Sequence, residues 1–157
     1  MMNTPPTITE GGPELFDAVA PLWESLRTHH HGITRDFKER FDGMTWTDRK
    51  NGLLEKSGPE GLRIFLVHEG KTPIGYCIVS VDELGHGELD SLFIDESCRG
   101  KKIGEELARK GLDWLMTFPA KDIIIQVAVG NERALPFYQK LGFLPYTTLL
   151  RKKQRKL

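Results

Sequence analysis

Leu15, Val19, Leu22, Trp23 and Leu26 fall at i, i+4, i+7, i+8 and i+11 within "GGPELFDAVAPLWESLRTHHHG". That spacing is the apolar stripe of an amphipathic helix. Pro21 lies inside the stripe and predicts a kink, because proline removes a helical donor and crowds the preceding turn. Ahead of it, "PTITE" predicts a short first strand. "TRDFKERFDGMTWTDRKNGLLEKSG" is polar and helical in pattern, with a break expected near Gly43. Phe37 and Phe41 share one of its faces, and Leu53 and Leu54 anchor its end.

The pattern then becomes that of strands. "GLRIFLVHEGKTPIGYCIVSVDELG" holds two β-rich runs around the turn cluster "EGKTP", a hairpin, and "GHGELDSLFID" is a third long strand. "RGKKIGEELARKGLDWLMTFP" predicts a helix with Ile103, Leu107, Gly111, Trp114, Leu115 and Phe118 on its buried stripe. Gly111 there permits close packing. "KDIIIQVAVG" is apolar almost throughout, as a central strand covered on both faces would be. "NERALPFYQKLG" is a short helix with Asn131 as N-cap and Gly142 as the C′ residue. Ala134, Phe137, Tyr138 and Leu141 lie on one side of it, and Pro136 predicts a distorted first turn. "FLPYTTLLRKK" closes the chain as a strand.

The order is β α α β β β α β α β. Its central βαβ unit requires two parallel strands, whereas the remaining strands favour antiparallel hairpins. The fold class is therefore α/β of the mixed-sheet, α+β kind, with helices on both faces. The 157 residues suit one domain, 1–157, around one core.

Charge and cysteine usage narrow the partners. The net charge is zero, which argues against a general nucleic-acid or membrane binder. The last seven residues, "RKKQRKL", carry five basic side chains; without them, 17 basic residues face 22 acidic ones. That run reads as a solvated end or a basic last strand, with nucleic-acid contact as the alternative. Cys77 and Cys98 make no disulfide framework, which fits a reducing cytoplasm. There is no 18-residue apolar run, and "MMNTPPTITEGG" lacks a signal peptide's apolar region.

The most informative stretch is "ESCRGKKIGEEL", Glu96–Leu107, at a strand-to-helix junction. Amides at a helix start lack intrahelical partners, and the helix dipole adds positive potential there. Gly100 and Gly104 let the loop curl so that these amides converge on an anion, and Arg99, Lys101 and Lys102 add counter-charge. The design suits a diphosphate. It matches neither GxxxxGK(S/T) nor GxGxxG.

Together, "RGKKIG" and, after the next strand, "VAVGNERALPFYQKLGF" resemble the GNAT superfamily of acetyl-coenzyme A-dependent N-acetyltransferases. The likeness runs from about Ile64 to Tyr146. In the family's loop pattern, Q/R-x-x-G-x-G/A, Arg99 and Gly104 match the ends, while Lys102 replaces the inner glycine. A lysine there is expected to donate its N–H from a negative φ. The resemblance implies that amides of Arg99, Gly100, Lys101, Lys102, Ile103, Gly104 and Glu105 hold the pyrophosphate of acetyl-CoA. It places the pantetheine arm between strands 88–95 and 122–130, against Leu92, Phe93 and Ile94, with a backbone N–H near Phe93 or Ile94 polarising the carbonyl. Asn131 would contact the arm or its thiol end, with Ala134, Phe137 and Tyr138 beside it. No metal is implied.

Acetyl transfer to an amine requires a neutral nucleophile, and roughly one lysine-type amine in two thousand is neutral at pH 7. Glu88 and Asp90 are the candidate bases, on one face of their strand if it is regular; proton removal through water is the alternative. A bulge would change which of them points at substrate. By the resemblance, Tyr138 faces the coenzyme's sulfur. A phenol is a weaker acid than a thiol, so a hydrogen bond that strengthens as charge develops is the expected role; a core aromatic is the alternative. Consecutive helical positions point about 100° apart, so His29, His30 and His31 do not share a metal. That run reads first as a solvated helix end; by the resemblance, in which the first two helices border the acceptor pocket, His30 and His31, with Phe37 and Trp46, are candidates for its wall, and core packing is the alternative for Phe37 and Trp46. The implied acceptor is a primary amine on a small molecule or protein. Dimers are common among such proteins, which leaves a homodimer open. The competing reading is a module of the same fold that senses acetyl-CoA without turnover.

Overall fold

Five strands lie side by side in chain order: β1 (Thr7–Gly11), β2 (Leu62–Glu69), β3 (Thr72–Val81), β4 (His86–Ile94) and β5 (Asp122–Ile124). The computed structural model describes residues 4–154. The first three junctions are antiparallel and β4–β5 is parallel, the mixed sheet expected of one βαβ unit. The helices are α1 (Phe16–Ile33), α2 (Lys38–Asp42), α3 (Trp46–Ser57), α4 (Ile103–Leu115) and α5 (Leu135–Lys140).

Strand alternation divides the core between the two sheet faces. Phe65, Val67, Cys77 and Val79 pack with Ile103, Leu107, Ala108 and Leu115 of α4. Ile64, Leu66, Tyr76 and Ile78 pack with Val19, Leu22 and Trp23 of α1 and Leu53 of α3. Burying each such side chain contributes about 1.5–3 kcal/mol. Gly111 sets how closely α4 approaches: a Cβ there would lie 2.7 Å from Val79 Cγ1 and 3.2 Å from Cys77 Sγ. α1 continues through Pro21, which sits exposed in its second turn. Gly43 ends α2, and Thr45 caps α3, its hydroxyl accepting from the Asp48 amide at 3.1 Å.

Two expectations need correction. "FLPYTTLLRKK" is not a strand here: residues 143–154 carry no regular secondary structure. β5 spans three residues instead of the whole of "KDIIIQVAVG", and it lies at the sheet edge. A strand is defined by its ladder, and the described chain supplies no neighbour on the outer side of β5. Met1–Asn3 and Arg155–Leu157, which complete the quoted N-terminal and basic segments, lie outside the described residues. Among the described residues, no helix is long and apolar enough to cross a membrane.

Candidate active site

β4 and β5 pair only through His86–Glu88 and Asp122–Ile124. Beyond that point the two backbones part, and a cavity of about 500 Å³ opens between Leu89–Ile94 and Ile125–Ala128. Its far wall is the loop before α4, and its floor includes Asn131, Ala134, Phe137 and Tyr138.

A β-bulge turns β4 where the cavity begins. Ser91 pairs with Ile78 and Leu89 with Val79, which leaves Asp90 without a partner. Alternation is thereby broken: Leu89 enters the core beneath α4, while Asp90 and Ser91 both face the α1–α3 side. Ser91 shares a 2.7 Å hydrogen bond with the buried Tyr76 hydroxyl. Asp90 is bound there by Lys56 and by Ser80.

The loop before α4 has the geometry of an anion nest. Gly100 has φ 83° and Lys102 φ 60°, the only positive φ of a described non-glycine residue. The negative φ expected of Lys102 is therefore wrong; left-handed residues interleaved with right-handed ones are what turn successive amides inward. Among the described residues, the N–H groups of Gly100 through Glu105 donate to no carbonyl or side chain. The Arg99 guanidinium folds back, donating to the Ile94 carbonyl at 2.9 Å and lying 5.7 Å over the Phe93 ring. It anchors the loop to β4. Lys102 lines the cavity, as does Lys140 from α5, whereas Lys101 does not. The Glu105 carboxylate is turned toward Arg109 at 2.9 Å, which holds its pKa below the usual range.

α5 ends in a Schellman motif. The Gly142 amide donates to the Gln139 carbonyl and the Phe143 amide to the Tyr138 carbonyl, with Gly142 at φ 96°. The Tyr138 ring is held against Phe137 and Phe143 and lines the cavity. Burial pushes its phenol pKa upward, so the hydroxyl stays protonated. A 3₁₀ turn, Glu132–Ala134, precedes α5 and accommodates Pro136. Asn131 occupies the N-cap position, but its side chain caps nothing and is left for the cavity.

Glu88 and Asp90 share a face and a partner that the sequence did not reveal. The Lys56 ammonium, from α3, donates to both carboxylates, to Glu88 at 2.8 Å. Arg49 donates to the Asp90 carbonyl at 3.0 Å, and Gln126 reaches Glu88 at 3.4 Å. The Asp90 side chain is 1% exposed and that of Glu88 20%. Burial raises the Asp90 pKa against the lowering influence of Lys56 and Ser80. For Lys56 the two carboxylates outweigh burial and raise its pKa, so it stays cationic. Asp90 lines the cavity; Glu88 sits just behind Gln126, which does.

Of the four candidate acceptor residues, His30 lines the cavity and the others do not. Burial and the neighbouring His29 lower the His30 pKa, favouring the neutral ring. His31 lies 3.3 Å from Asp42, Phe37 immediately precedes α2, and Trp46 packs against Phe16 and Trp23 in the core. Leu26 and His29 line the cavity instead; both lie on the α1 stripe or one residue before His30, a periodicity signal that could have found them. No group of metal-ligating side chains occurs among the described residues.

The family model described as "Acetyltransferase (GNAT) family" matches residues 23–143. The chain is 33% identical over 85 residues to N-alpha-acetyltransferase 30 of Schizosaccharomyces pombe, covering 54% of this chain and 49% of that protein. It is 25% identical over 140 residues to the IAA acetyltransferase of Azospirillum brasilense, covering 87% and 83%. It thus spans about half the length of the first relative and most of the second. An aminoglycoside N-acetyltransferase solved in complex with CoA superimposes with a TM-score of 0.66 at 15% identity, covering 99% of this chain and 98% of that one.

Proposed function

The chain belongs to the acetyltransferase (GNAT) family, and from that premise we propose that it transfers an acetyl group from acetyl-CoA directly to a primary amine. The observation that carries this reading is the row of unpaired amides, Gly100–Glu105, opening onto a cavity between two parting strands. A coenzyme's diphosphate fits such a row: it is dianionic, and the amides and helix start are fixed donors. Lys102 and Lys140 supply the counter-charge. The pantetheine arm would run along Leu92–Ile94 as an added strand does, with Asn131, Ala134, Phe137 and Tyr138 beneath it. Bound acetyl-CoA supplies an activated acyl group and a thiol leaving group.

The chain's own groups would then manage protons. Glu88, the more open carboxylate, takes up the ammonium's proton through water, and Asp90 positions Lys56 so that Glu88 is oriented. A main-chain N–H near Phe93 or Ile94 stabilises charge on the carbonyl oxygen. Tyr138 donates a hydrogen bond to the departing sulfur; its raised pKa suits a donor that keeps its proton. The neutral His30 ring and Leu26 border the acceptor's end of the cavity.

Thiol release measured across a broad set of amines, with product mass determination, tests the proposal. Acceptor-dependent release supports transfer. Coenzyme binding without release from any amine would favour the sensor reading.

A further inference from the structure

We infer that Arg49 and Arg99 set the register of the coenzyme's arm on β4. Each occupies the main-chain carbonyl at one end of the stretch that faces the arm, Asp90 and Ile94, so that Leu92 between them is the position left open. The inference rests on the acyl-transfer reading and makes Arg49, which reaches β4 from α3, a positioning residue for that reaction.

The pairing of β4 with β3 shows which peptide groups are open. The Asp95 amide donates to the Ile74 carbonyl at 2.8 Å, and Phe93 and Ser91 lie opposite Tyr76 and Ile78. Hydrogen-bonded positions alternate along an antiparallel pair. Phe93 and Ser91 therefore turn their main-chain groups toward β3, while Leu92 and Ile94 turn theirs to the other side. β5 pairs with β4 only as far as Glu88, so that side has lost its ladder. The Ile94 carbonyl there accepts from the Arg99 side chain at 2.9 Å. The Asp90 carbonyl, released from β3 by the bulge, accepts from Arg49 at 3.0 Å. Among the described residues, nothing donates to the Leu92 carbonyl.

Register needs such a device. A strand-like ligand pairs with an edge by a pattern that repeats every two residues, so main-chain pairing alone does not tell Leu92 from the positions before and after it. A slip of one repeat moves the thioester by about 7 Å, out of hydrogen-bond reach of Tyr138. A guanidinium is a planar cation with donors only, and its charge-assisted bond to a carbonyl is stronger than that of a neutral amide. The two arginines thus withdraw the two wrong positions. They are fixed by different elements. Arg99 lies over the Phe93 ring in the loop before α4. Arg49 comes from α3, which packs on β2 and β3 and reaches the bulge through two cations, Arg49 on the Asp90 carbonyl and Lys56 on its carboxylate. Seven residues apart, these two share one helix face. Lys56 and Ser80 hold the Asp90 side chain, which keeps its carbonyl presented to Arg49.

Titration of CoA into the full chain with isotope-labelled main-chain carbonyls, followed by NMR, tests this. In the wild type, CoA should shift the Leu92 carbonyl and leave the Asp90 carbonyl in place. In Arg49→Ala the Asp90 carbonyl should shift as well, and in Arg99→Gln the Ile94 carbonyl should gain the same response, which gives a second reading from the opposite end. With an amine accepted in the thiol-release screen, Arg49→Ala should lower kcat about 100-fold, as misplaced reacting groups do, with the Kd for CoA within about threefold. Arg49→Lys keeps a cationic donor and should recover part of the loss. An Asp90 carbonyl that responds to CoA in the wild type, or wild-type kcat in Arg49→Ala, would overturn the inference. So would losses of kcat and CoA affinity that merely follow a lowered melting temperature, since those mark a structural contact. A wild type that binds no CoA would remove the acyl-transfer reading and this one with it. A wild type that binds CoA but acylates no amine would leave the carbonyl shifts to decide the register alone.

Discussion

The rings of Tyr138 and Phe143 meet edge-on, their centroids 6.1 Å apart at an interplanar angle of 86°, across the turn that Gly142 makes after α5. Backbone and side chain thus act together: the Schellman bonds close the helix, and the hydrophobic contact that accompanies them fixes the Tyr138 ring where it lines the cavity. Tyr138→Phe keeps the ring and its packing and removes only the hydroxyl. It should lower kcat by about 10–100-fold, the worth of a hydrogen bond made chiefly in the transition state, with the dissociation constant for CoA within about threefold of wild type. Steady-state kinetics and calorimetry on the same preparation check both halves. Unchanged turnover would return Tyr138 to a packing role.

Lys102 holds a left-handed backbone at φ 60° without being glycine. That conformation costs a non-glycine residue roughly 1–2 kcal/mol, and glycine's extra unfolded-state entropy costs roughly 0.5–1 kcal/mol. Lys102→Gly should therefore stabilise the fold by about 0.5–1 kcal/mol in urea unfolding, while weakening CoA binding through the lost cation.

Gly111→Ala should do the reverse. The added methyl meets Val79 Cγ1 at 2.7 Å, an overpacking worth about 1–3 kcal/mol, partly offset by about 1 kcal/mol of helix propensity. Chemical denaturation should show a net loss of up to about 2 kcal/mol.

Lys56→Met leaves Asp90 buried without its cation. The pair is only partly enclosed, so the expected cost at pH 7 is about 2 kcal/mol rather than the full value of a buried pair. The Asp90 pKa is already raised by burial and should rise further. A raised acid pKa means that the folded state binds more protons, so the variant should recover stability as pH falls toward that pKa. Melting temperatures of variant and wild type across pH 5–8 should converge at the acid end.

His30 contributes with the opposite sign. Its folded pKa is lowered, by burial and then by His29, so the unfolded state binds more protons. Its contribution is complete above the ordinary histidine pKa of about 6.5 and declines as pH falls below it. His30→Gln should flatten the loss of thermal stability between neutral and mildly acidic pH.

The parts of the site that could be read in the sequence are the local ones. Gly100, Gly104 and the basic residues between them lie within one turn, and a strand before and a helix after them suffice to define an anion nest. The same holds for Gly142 and the α5 stripe, whereas Asn131 stands before the 3₁₀ turn but its side chain caps nothing. What could not be read depends on distant register. Lys56 reaches Glu88 and Asp90 across 32 and 34 residues, and only the packing of α3 on the sheet, against β2 and β3, brings them together. Sequence leaves Trp46 open between pocket and core, because an aromatic on a helix can face either way; it faces Phe16 and Trp23. The pattern of "FLPYTTLLRKK" is that of a strand, but a strand exists only with a neighbour to pair with, and residues 143–154 carry no regular secondary structure.

Calorimetric titration of CoA into Gly104→Pro, with Gly104→Ala as its partner, tests most directly whether the amides before α4 hold the diphosphate. Proline is tolerated in a helix's first turn, and a Cβ at position 104 makes only ordinary contacts, 3.5 Å from Ile94 and 3.9 Å from Phe137. Removing one amide donor to an anion should raise the dissociation constant by about 10–100-fold, the equivalent of roughly 1.5–3 kcal/mol, with alanine close to wild type. A folded proline variant that binds CoA as tightly as wild type would contradict the assignment.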